Sequence, residues 1–397
     1  MKKLLIVGGS HSEIPLIKSA KNKGFYVITT GNQKNGIGHK YSDEFHLVDY
    51  SQEKEICKLA LDLKVDHVCF GAHDFSMFST VYTAEKLGLP FFDSYETTSV
   101  LHYKDKFKEF AKKYNIPTPA GYYFKSKKEA IEFAYEYKLP FIVKPVDMGG
   151  GKGITKVENK SQIEDAINKA FIYSKNQKII IEEFFDGDLH SLSTFIQNQK
   201  IKFYYADNEY PCFNNPYGVC TSTFPAKDVD NVISRLLNEI EKIAKILELK
   251  DGLVHTQYLQ KDKEFSIIEI TRRLPGDFYN LPVEMATNFP YSDTIIDFCT
   301  GENVSILHKP QKNRFLSRHC LIATGGTFEG IYFSPEIEKN IVDLYIWEKK
   351  GNPIMYPKSG IAILEYSSQD EMEEKTLNLN SLIKIKTKPV YEMVINE

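Results

Sequence analysis

The chain has 397 residues, of which 42% are hydrophobic, so it has enough apolar material for a sizeable core and is neither disordered nor collagen-like. Its 50 Lys+Arg stand against 53 Asp+Glu, and without a basic excess neither nucleic acid nor an anionic membrane is an expected partner. At about 150 residues per domain, this length predicts two or three domains.

Residues 1 to about 95 alternate strand and helix patterns. Strands are predicted at 3–7, 25–29, 45–48, 66–70 and 89–92, and helices at 14–23, 53–63 and 80–87. This alternation implies a parallel sheet with right-handed crossovers. The first apolar run ends at Gly8 and is too short for a signal peptide. Glu13 stands where a dinucleotide fingerprint needs its third glycine, so a Rossmann NAD site is not expected.

The pattern changes from about residue 100. Helices are predicted at 105–114, 127–137, 161–170 and 232–247, and strands at 141–145, 179–182, 254–259, 265–271 and 361–366. Ser161 and Glu164 have the spacing of a capping box. Residues 207–224 are irregular, polar and aromatic, which fits either an acceptor pocket or a surface loop. From about residue 306 onward the pattern is that of a further α+β unit.

The cysteines and histidines predict neither disulfides nor a zinc site. The six cysteines include no Cys-x-x-Cys pair, and the ten histidines include no His-x-x-x-His pair. Buried reduced thiols in a cytoplasmic protein are therefore expected. No apolar run approaches the roughly 18 residues that a transmembrane helix needs.

A glycine-rich loop after the strand at 141–145 is a candidate phosphate site. Its glycines leave backbone N–H groups free to approach phosphate oxygens, and a lysine adds positive charge: Gly149, Gly150, Gly151, Lys152 and Gly153. No Ser or Thr follows the Gly-Lys pair, so this is not a Walker A loop. An exposed flexible loop would have the same composition.

Three lysines stand where a bound phosphate would be stabilised. Lys144 ends the predicted buried strand directly before the glycine loop, where it could meet a nucleotide phosphate or reach solvent. Lys104 and Lys106 begin a predicted helix, an unfavourable place for cations unless an anion binds there. An ordinary solvated helix start is the alternative reading.

Two further segments carry candidate site residues. A strand leads into the acidic and aromatic residues 182–186, which could hold an adenine or simply end a surface strand. In the predicted hairpin, alternation places Glu269, Thr271 and Arg273 on one face. Beside Gln257 on the partner strand, Glu269 could hold Mg²⁺ through oxygen ligands or form a cross-strand salt bridge.

The order of these features resembles the ATP-grasp superfamily, in the branch with biotin carboxylase, carbamoyl phosphate synthase and the carboxylate–amine ligases. The resemblance covers most of the chain and implies an α/β and α+β fold. Its predicted parts are a Rossmann-like pre-ATP-grasp domain at 1–98, an ATP-grasp domain at 99–305 with a lid subdomain at about 115–180, and a small C-terminal α+β domain at 306–397.

The resemblance also implies roles for individual residues. Lys106 and Lys144 would contact the nucleotide phosphates, and residues 149–153 would close over them. Lys144 and Arg273 would be the catalytic residues, with Arg273 facing phosphate or the substrate carboxylate. The remaining assignments are adenine for Glu182, Glu183 and Phe184, ribose for His190, and Mg²⁺ for Glu269, Gln257 and Thr271, with Mn²⁺ as a substitute.

Two positions depart from the pattern of the family. Gln257 replaces an acidic metal ligand and Thr271 replaces an asparagine. Both still offer an oxygen to Mg²⁺, but they bring less negative charge to offset the metal. Weaker metal binding, fewer metal ions or an inactive site are the consequences left open.

The reaction implied by the resemblance is ATP-dependent ligation of a carboxylate to an amine through an acyl phosphate, with ATP and Mg²⁺ as cofactors. The expected partners are small-molecule carboxylate and amine substrates, and a homodimer is one allowed state. Two alternatives share these motifs: a carboxylase that uses bicarbonate, and a nucleotide-binding regulator with a degenerate catalytic centre. A biotin-dependent carboxylase is less favoured, because the chain has no Met-Lys-Met carrier sequence.

Overall fold

The computed structural model describes residues 1–302, 304, 314–354 and 356–388. Its N-terminal unit is a parallel sheet of four strands with helices packed against it. These elements are β1 (Lys3–Val7), α1 (Ile14–Asn22), β2 (Tyr26–Gly31), β3 (Glu44–Leu47), α2 (Glu53–Asp62), β4 (His67–Phe70) and α3 (Asp74–Leu87). The strand order is β3-β2-β1-β4. Residues 4–7 of β1 are fully buried, as expected of a central parallel strand covered on both faces.

The second unit is an antiparallel sheet of four strands, in the order β5-β8-β6-β7, covered by two helices. Two helices lead into it from the first unit. In chain order the elements are α4 (Tyr95–His102), α5 (Lys104–Tyr114), β5 (Gly121–Phe124), α6 (Lys127–Glu136), β6 (Phe141–Pro145), β7 (Thr155–Val157), α7 (Ile163–Tyr173) and β8 (Ile179–Glu183). This unit carries the glycine-rich loop between β6 and β7.

The predicted capping box of Ser161 and Glu164 is wrong. The box is closed by Asn159 and Gln162, whose side chains bond each other's backbone N–H groups. Gln162 is the third residue after Asn159, which is the same spacing two positions earlier in the chain. A 3₁₀ turn therefore precedes α7, which begins at Ile163.

The largest sheet has eight antiparallel strands in the order β13-β12-β9-β10-β11-β14-β17-β16. Its elements up to residue 300 are β9 (Asp188–Gln197), β10 (Lys200–Cys212), β11 (Asn215–Phe224), α8 (Ile233–Ile246), β12 (Gly252–Lys261), β13 (Glu264–Thr271), α9 (Asn280–Thr287) and α10 (Tyr291–Thr300). The segment 207–224, which the sequence presents as irregular, is thus the end of β10, a short turn and all of β11. Apolar side chains cover β9 on both faces, with Phe195 in one core and Leu192 and Ile196 in another.

The C-terminal strands continue this same sheet. The elements are β14 (Phe315–Ile322), β15 (Thr327–Phe333), α11 (Pro335–Glu338), β16 (Ile341–Ile346), β17 (Lys358–Tyr366), α12 (Gln369–Leu377), α13 (Leu379–Leu382) and β18 (Ile383–Lys388). β15 and β18 form a separate pair. The predicted boundary at residues 305 and 306 lies outside the described residues, so the division into domains stays a prediction. In the described part, no helix is both long and apolar enough to cross a membrane.

The strand predicted at residues 89–92 is absent. Pro90 has no N–H to donate to a neighbouring strand, and residues 90 and 91 lie in a turn. The Phe91 ring instead packs against the end of α10, so closely that a Cβ at Gly301 would lie 2.2 Å from its Cζ. The helix predicted at 80–87 is confirmed but begins earlier, at Asp74.

Candidate functional site

A cavity of 680 Å³ lies where the N-terminal sheet, the glycine-rich loop and the eight-stranded sheet meet. The loops after β1 and β4 form one wall, as the carboxyl ends of parallel strands commonly do. The predicted site residues in its lining are Lys144, Gly149, Gly150, Gly151, Lys152, Gln257, Glu269, Thr271 and Arg273. Residues that are distant in sequence therefore share one cavity.

The predicted metal ligands lie together on the β12–β13 hairpin. Gln257 and Glu269 are directly opposed across the two strands, and Thr271 lies two residues beyond Glu269 on the same face. A carboxylate, an amide oxygen and a hydroxyl form an oxygen donor set, which fits Mg²⁺. Among the described residues, no group of three or more His, Cys, Asp and Glu side chains could hold a metal. The residues fit a Mg²⁺ ion that takes its remaining ligands from a nucleotide and water.

Arg273 is held by a carboxylate of the N-terminal unit. Its Nε donates to Asp74 Oδ1 at 2.6 Å, and His102 Nε2 lies 3.9 Å from the other carboxylate oxygen. Burial opposes the charge of Asp74, but Arg273 and His102 overcome it and hold the pKa of that carboxyl well below its usual range. The Arg273 guanidinium is therefore fixed next to the end of β13, close in sequence to the predicted metal ligands Glu269 and Thr271.

The lysine of α5 that reaches the cavity is Lys104, and Lys106 does not line it. Lys104 Nζ donates to the Met148 carbonyl at 3.0 Å and lies 3.8 Å from Glu269. Lys106 Nζ instead lies 3.3 Å from Glu96 on the surface. The reason is the helical phase, since a residue two positions along faces away from the side that Lys104 occupies.

Lys144 shares a buried carboxylate with a lysine that the sequence analysis missed. Glu182 accepts a hydrogen bond from Lys144 and lies 3.1 Å from Lys108 Nζ. Lys108 also donates to the Pro119 carbonyl at 2.5 Å. Burial opposes the charge of Glu182, yet the two ammonium groups lower its pKa to about 2. Lys108 is one helical turn beyond Lys104, and that spacing could have revealed it.

The residues predicted to bind adenine and ribose do not line the cavity. Glu182 is taken up by the two lysines, and Glu183 is exposed. Lys156 Nζ lies 4.2 Å above the Phe184 ring. His190 is buried and stacks on Tyr258, with 5.3 Å between the ring centroids. The structure brings the phosphate and metal candidates together, and these four residues lie outside that set.

The glycine-rich loop contacts the β10–β11 hairpin. Asn215 Nδ2 donates to the Gly150 carbonyl at 3.1 Å, and the Tyr217 hydroxyl accepts from the Lys156 backbone at 3.0 Å. Gly151 has φ +74°, and a Cβ there would lie 2.4 Å from the Tyr217 carbonyl oxygen. Glycine is therefore required by both conformation and space.

A row of polar side chains begins on the β12–β13 hairpin and crosses the eight-stranded sheet. Neighbouring members are directly opposed on adjacent strands, or two apart on β10, and so share one face. Arg318 Nη2 donates to Ser222 Oγ at 2.8 Å, and Gln257 Nε2 to Glu209 Oε2 at 2.7 Å. In spatial order the row is Glu269, Gln257, Ser191, Asp207, Glu209, Ser222 and Arg318.

Burial affects the two carboxylates inside this row. It raises the pKa of Glu209 to about 7, and the nearby charge of Glu269 adds to the effect. Burial and the charge of Glu209 also raise the pKa of Asp207 well above its ordinary value. The sequence analysis placed both residues in the possible acceptor segment 207–224 but gave neither a role, although the alternation of Asp207 with Glu209 is the period-two pattern of a strand.

A family model accounts for the middle of the chain. Residues 103–248 match the ATP-grasp (A) domain of phosphoribosylglycinamide synthetase. Residues 103–248 are therefore similar to an ATP-grasp domain. The matched segment includes Lys104, Lys108, Lys144, the glycine-rich loop and Glu182, which confirms the resemblance inferred from the order of the motifs.

Curated relatives match longer stretches of the chain than the family model does. Phosphoribosylamine–glycine ligase of Lactococcus lactis is 28% identical over 256 residues, which are 61% of this chain and 60% of the relative. The carbamoyl phosphate synthase large chain of Clostridium acetobutylicum is 24% identical over 216 residues, 54% of this chain and 20% of the relative. The chain thus matches less than two thirds of the length of each.

Solved structures share the ATP-grasp architecture over nearly the whole chain. Phosphoribosylglycinamide synthetase from Anaerococcus prevotii has a TM-score of 0.76 at 23% identity, covering 98% of this chain and 100% of that one. L-amino acid ligase from Bacillus licheniformis has a TM-score of 0.80 at 17% identity, covering 98% and 99%. The predicted fold class, a Rossmann-like unit followed by an ATP-grasp fold and a C-terminal α+β part, is confirmed.

A second ionic cluster joins side chains from the N-terminal unit, from the segment after β13 and from the C-terminal strands. Asp277, with φ +61°, lies 3.0 Å from His11 Nε2, 2.5 Å from Lys358 Nζ and 3.5 Å from Arg318 Nη1. Burial opposes its charge, but Lys358, His11 and Arg318 hold the pKa of this carboxyl well below its ordinary value. His11 also stacks on Trp347, with 4.5 Å between the ring centroids. The sequence gives no signal for this cluster, because its members come from distant segments.

Proposed function

We propose that the chain is an ATP-dependent ligase that joins a carboxylate to an amine and releases ADP and phosphate. The observation that carries this proposal is the cavity in which Lys104, Lys144 and the glycine-rich loop face Glu269 and Arg273. Similarity to relatives named as ligases supports it. The chain matches only part of those relatives, so their substrates do not transfer to it.

The phosphates of the nucleotide are assigned to cationic groups on both sides of the cavity. Lys144 and residues 149–153 approach from the lid side, and Lys104 approaches from α5. Lys104 takes the role predicted for Lys106, because its ammonium lies beside Met148 and Glu269. We keep Glu182, Glu183, Phe184 and His190 as candidates for adenine and ribose, to be reached when the lid moves.

Glu269, Gln257 and Thr271 would hold Mg²⁺, with Mn²⁺ as a substitute. When bound, the metal offsets the charge on the transferring phosphoryl group. Arg273 lies at the same end of the hairpin and adds a fixed positive charge where negative charge develops. Its salt bridge to Asp74 keeps the guanidinium in place before substrates bind.

The reaction requires two displacements. A carboxylate oxygen attacks the γ-phosphorus of ATP, the bond from that phosphorus to the bridging oxygen breaks, and ADP leaves. The amine then attacks the carbonyl carbon of the acyl phosphate, loses a proton, and displaces inorganic phosphate. Closure of the glycine-rich loop against the β10–β11 hairpin would exclude water, which would otherwise hydrolyse the acyl phosphate.

The partners follow from this chemistry. They are a small-molecule acid and a small-molecule amine, in a protein we place in the cytoplasm. A homodimer remains one allowed state.

A substrate screen tests the proposal. Carboxylic acids are supplied in turn with ATP, Mg²⁺ and hydroxylamine as the surrogate amine, and ADP and hydroxamate are measured together. The proposal requires that at least one acid gives both products in equal amounts. ADP release that depends on bicarbonate alone would assign the protein to the carboxylases instead. ATP binding without turnover for any acid would favour a nucleotide-binding regulator.

A further inference from the structure

The amide of Gln257 is held by a carboxylate from a strand that is not its neighbour. Glu209 lies on β10, and β9 separates β10 from the Gln257 strand β12. The Glu209 side chain nevertheless reaches over β9, where its Oε2 accepts from Gln257 Nε2 at 2.7 Å. Glu209 is 8% exposed and lines the same cavity as Gln257 and Glu269.

An amide can present either of two ends to a cation, and only one of them binds. The carbonyl oxygen is a metal ligand, whereas the amide nitrogen carries two hydrogens and repels a cation. A carboxylate accepts hydrogen bonds, so the end of Gln257 that faces Glu209 is its NH₂ group. The amide oxygen of Gln257 is then the end that is left for another partner.

We infer that Glu209 is a positioning residue for the metal site: it orients Gln257 so that the amide oxygen faces the cation. Outer partners of metal ligands commonly act in this way, and their removal typically costs about 10- to 100-fold in metal affinity. This inference rests on the proposed function, because it concerns the same Mg²⁺ site.

A purely structural role for Glu209 makes a different prediction. If Glu209 only held β10 in place, its removal would weaken metal binding by the same factor whatever residue stood at position 257. If it orients Gln257, its effect depends on that residue. In a Gln257→Glu variant both side-chain oxygens can bind a cation, so there is no amide end for Glu209 to turn away. Removing Glu209 should then have little effect on metal binding.

The test is a double-mutant cycle on Mn²⁺ binding, read by electron paramagnetic resonance in the presence of ADP. Glu209→Gln removes the charge and Glu209→Leu removes the hydrogen-bond acceptor, so one remains informative if the other fails to fold. Each is made alone and combined with Gln257→Glu. Glu284→Gln is the matched control, because this part-buried carboxylate bonds Ser292 outside the cavity.

The inference predicts that the effect of Glu209 depends on which residue stands at position 257. Alone, each Glu209 variant should weaken Mn²⁺ binding roughly 10-fold, while Glu284→Gln leaves it unchanged. In the Gln257→Glu background the same Glu209 variants should change Mn²⁺ binding little. Equal effects in both backgrounds, or no effect in either, would overturn the inference and leave the ligase proposal standing. Wild-type protein that binds no Mn²⁺ with ADP would overturn both.

Discussion

Arg273 and Asp74 form a salt bridge with 2.6 Å between Nε and Oδ1. This salt bridge joins the end of the β12–β13 hairpin to the N-terminal unit. Arg273 follows β13, and Asp74 is the first residue of α3. Both side chains are mostly buried, with 15% and 17% exposure. The Arg273 guanidinium, which we propose to be catalytic, is therefore positioned by Asp74 of the N-terminal unit.

Asp74→Asn should destabilise the protein by about 3 kcal/mol, because it leaves the buried Arg273 guanidinium without its counter-charge. The free energy of unfolding is measured by urea denaturation. Glu96→Gln is the matched control, since the Glu96 carboxylate pairs with Lys106 at the surface and such pairs contribute at most about 1 kcal/mol. Equal losses in the two variants would show that burial of the Arg273–Asp74 pair has no energetic consequence.

The two lysines at the start of α5 should differ in their effect on nucleotide binding. Lys104→Ala removes the ammonium that lies 3.8 Å from Glu269 and should weaken MgATP binding about tenfold or more. Lys106→Ala removes a surface cation and should leave that affinity unchanged. Isothermal titration with MgATP compares them. A loss confined to Lys106→Ala would return the phosphate role to Lys106 and reject the assignment made from the structure.

Because of the buried Glu182, the free energy of unfolding should fall steeply as the pH is lowered below about 5. Its pKa in the folded protein is about 2, against an ordinary value of 4.5. A depressed pKa stabilises the folded state above the unfolded value, and this contribution is lost as the pH falls toward the folded value. The free energy of unfolding should therefore lose about 3 kcal/mol from this group between pH about 5 and about 2.

Two glutamine variants separate the contribution of Glu182 from that of the other carboxylates to the loss of stability at low pH. Glu182→Gln should be less stable than wild type at neutral pH, and the difference should narrow steadily on acidification. Glu183→Gln changes the adjacent exposed carboxylate and should follow the wild-type profile. A difference between wild type and Glu182→Gln that stays constant with pH would contradict the depressed pKa.

The glycine-rich loop should become ordered when nucleotide binds. Its glycines have high backbone entropy when free. Hydrogen exchange across residues 147–155 should slow when MgATP is added, while exchange in α7 changes little. Asn215→Ala removes the hydrogen bond to the Gly150 carbonyl and should speed exchange of the loop in the free protein. Exchange that is the same with and without nucleotide would rule out a lid.

Strands whose burial follows a simple apolar run could be predicted from the sequence. β1 and β6 begin and end at the predicted residues, because glycine and proline terminate continuous apolar segments. β9 to β11 were not predicted, since buried Ser and Thr side chains interrupt their hydrophobic pattern. The strand predicted at 89–92 was wrong because its proline favours a turn at this place.

The candidate site could be predicted only as far as local spacing allows. Period-two alternation along the strand at 265–271 predicted that Glu269 and Thr271 share a face. The hairpin turn predicted that Gln257 lies beside them on the partner strand. The contact between Glu209 and Gln257 depends on the order of strands in the sheet, which no local pattern reports. Likewise, the choice between Lys104 and Lys106 depends on which side of α5 faces the cavity, and that is set by packing.

Isotope labelling of the substrate carboxylate shows whether the acid is phosphorylated during the reaction. The acid identified in the substrate screen is labelled with heavy oxygen in its carboxylate, and the inorganic phosphate released with the amine product is analysed by mass spectrometry. Attack of the carboxylate on the γ-phosphorus predicts that each phosphate carries one labelled oxygen from the acid. Phosphate without label, formed together with the amide product, would contradict the acyl-phosphate mechanism and with it the proposed function.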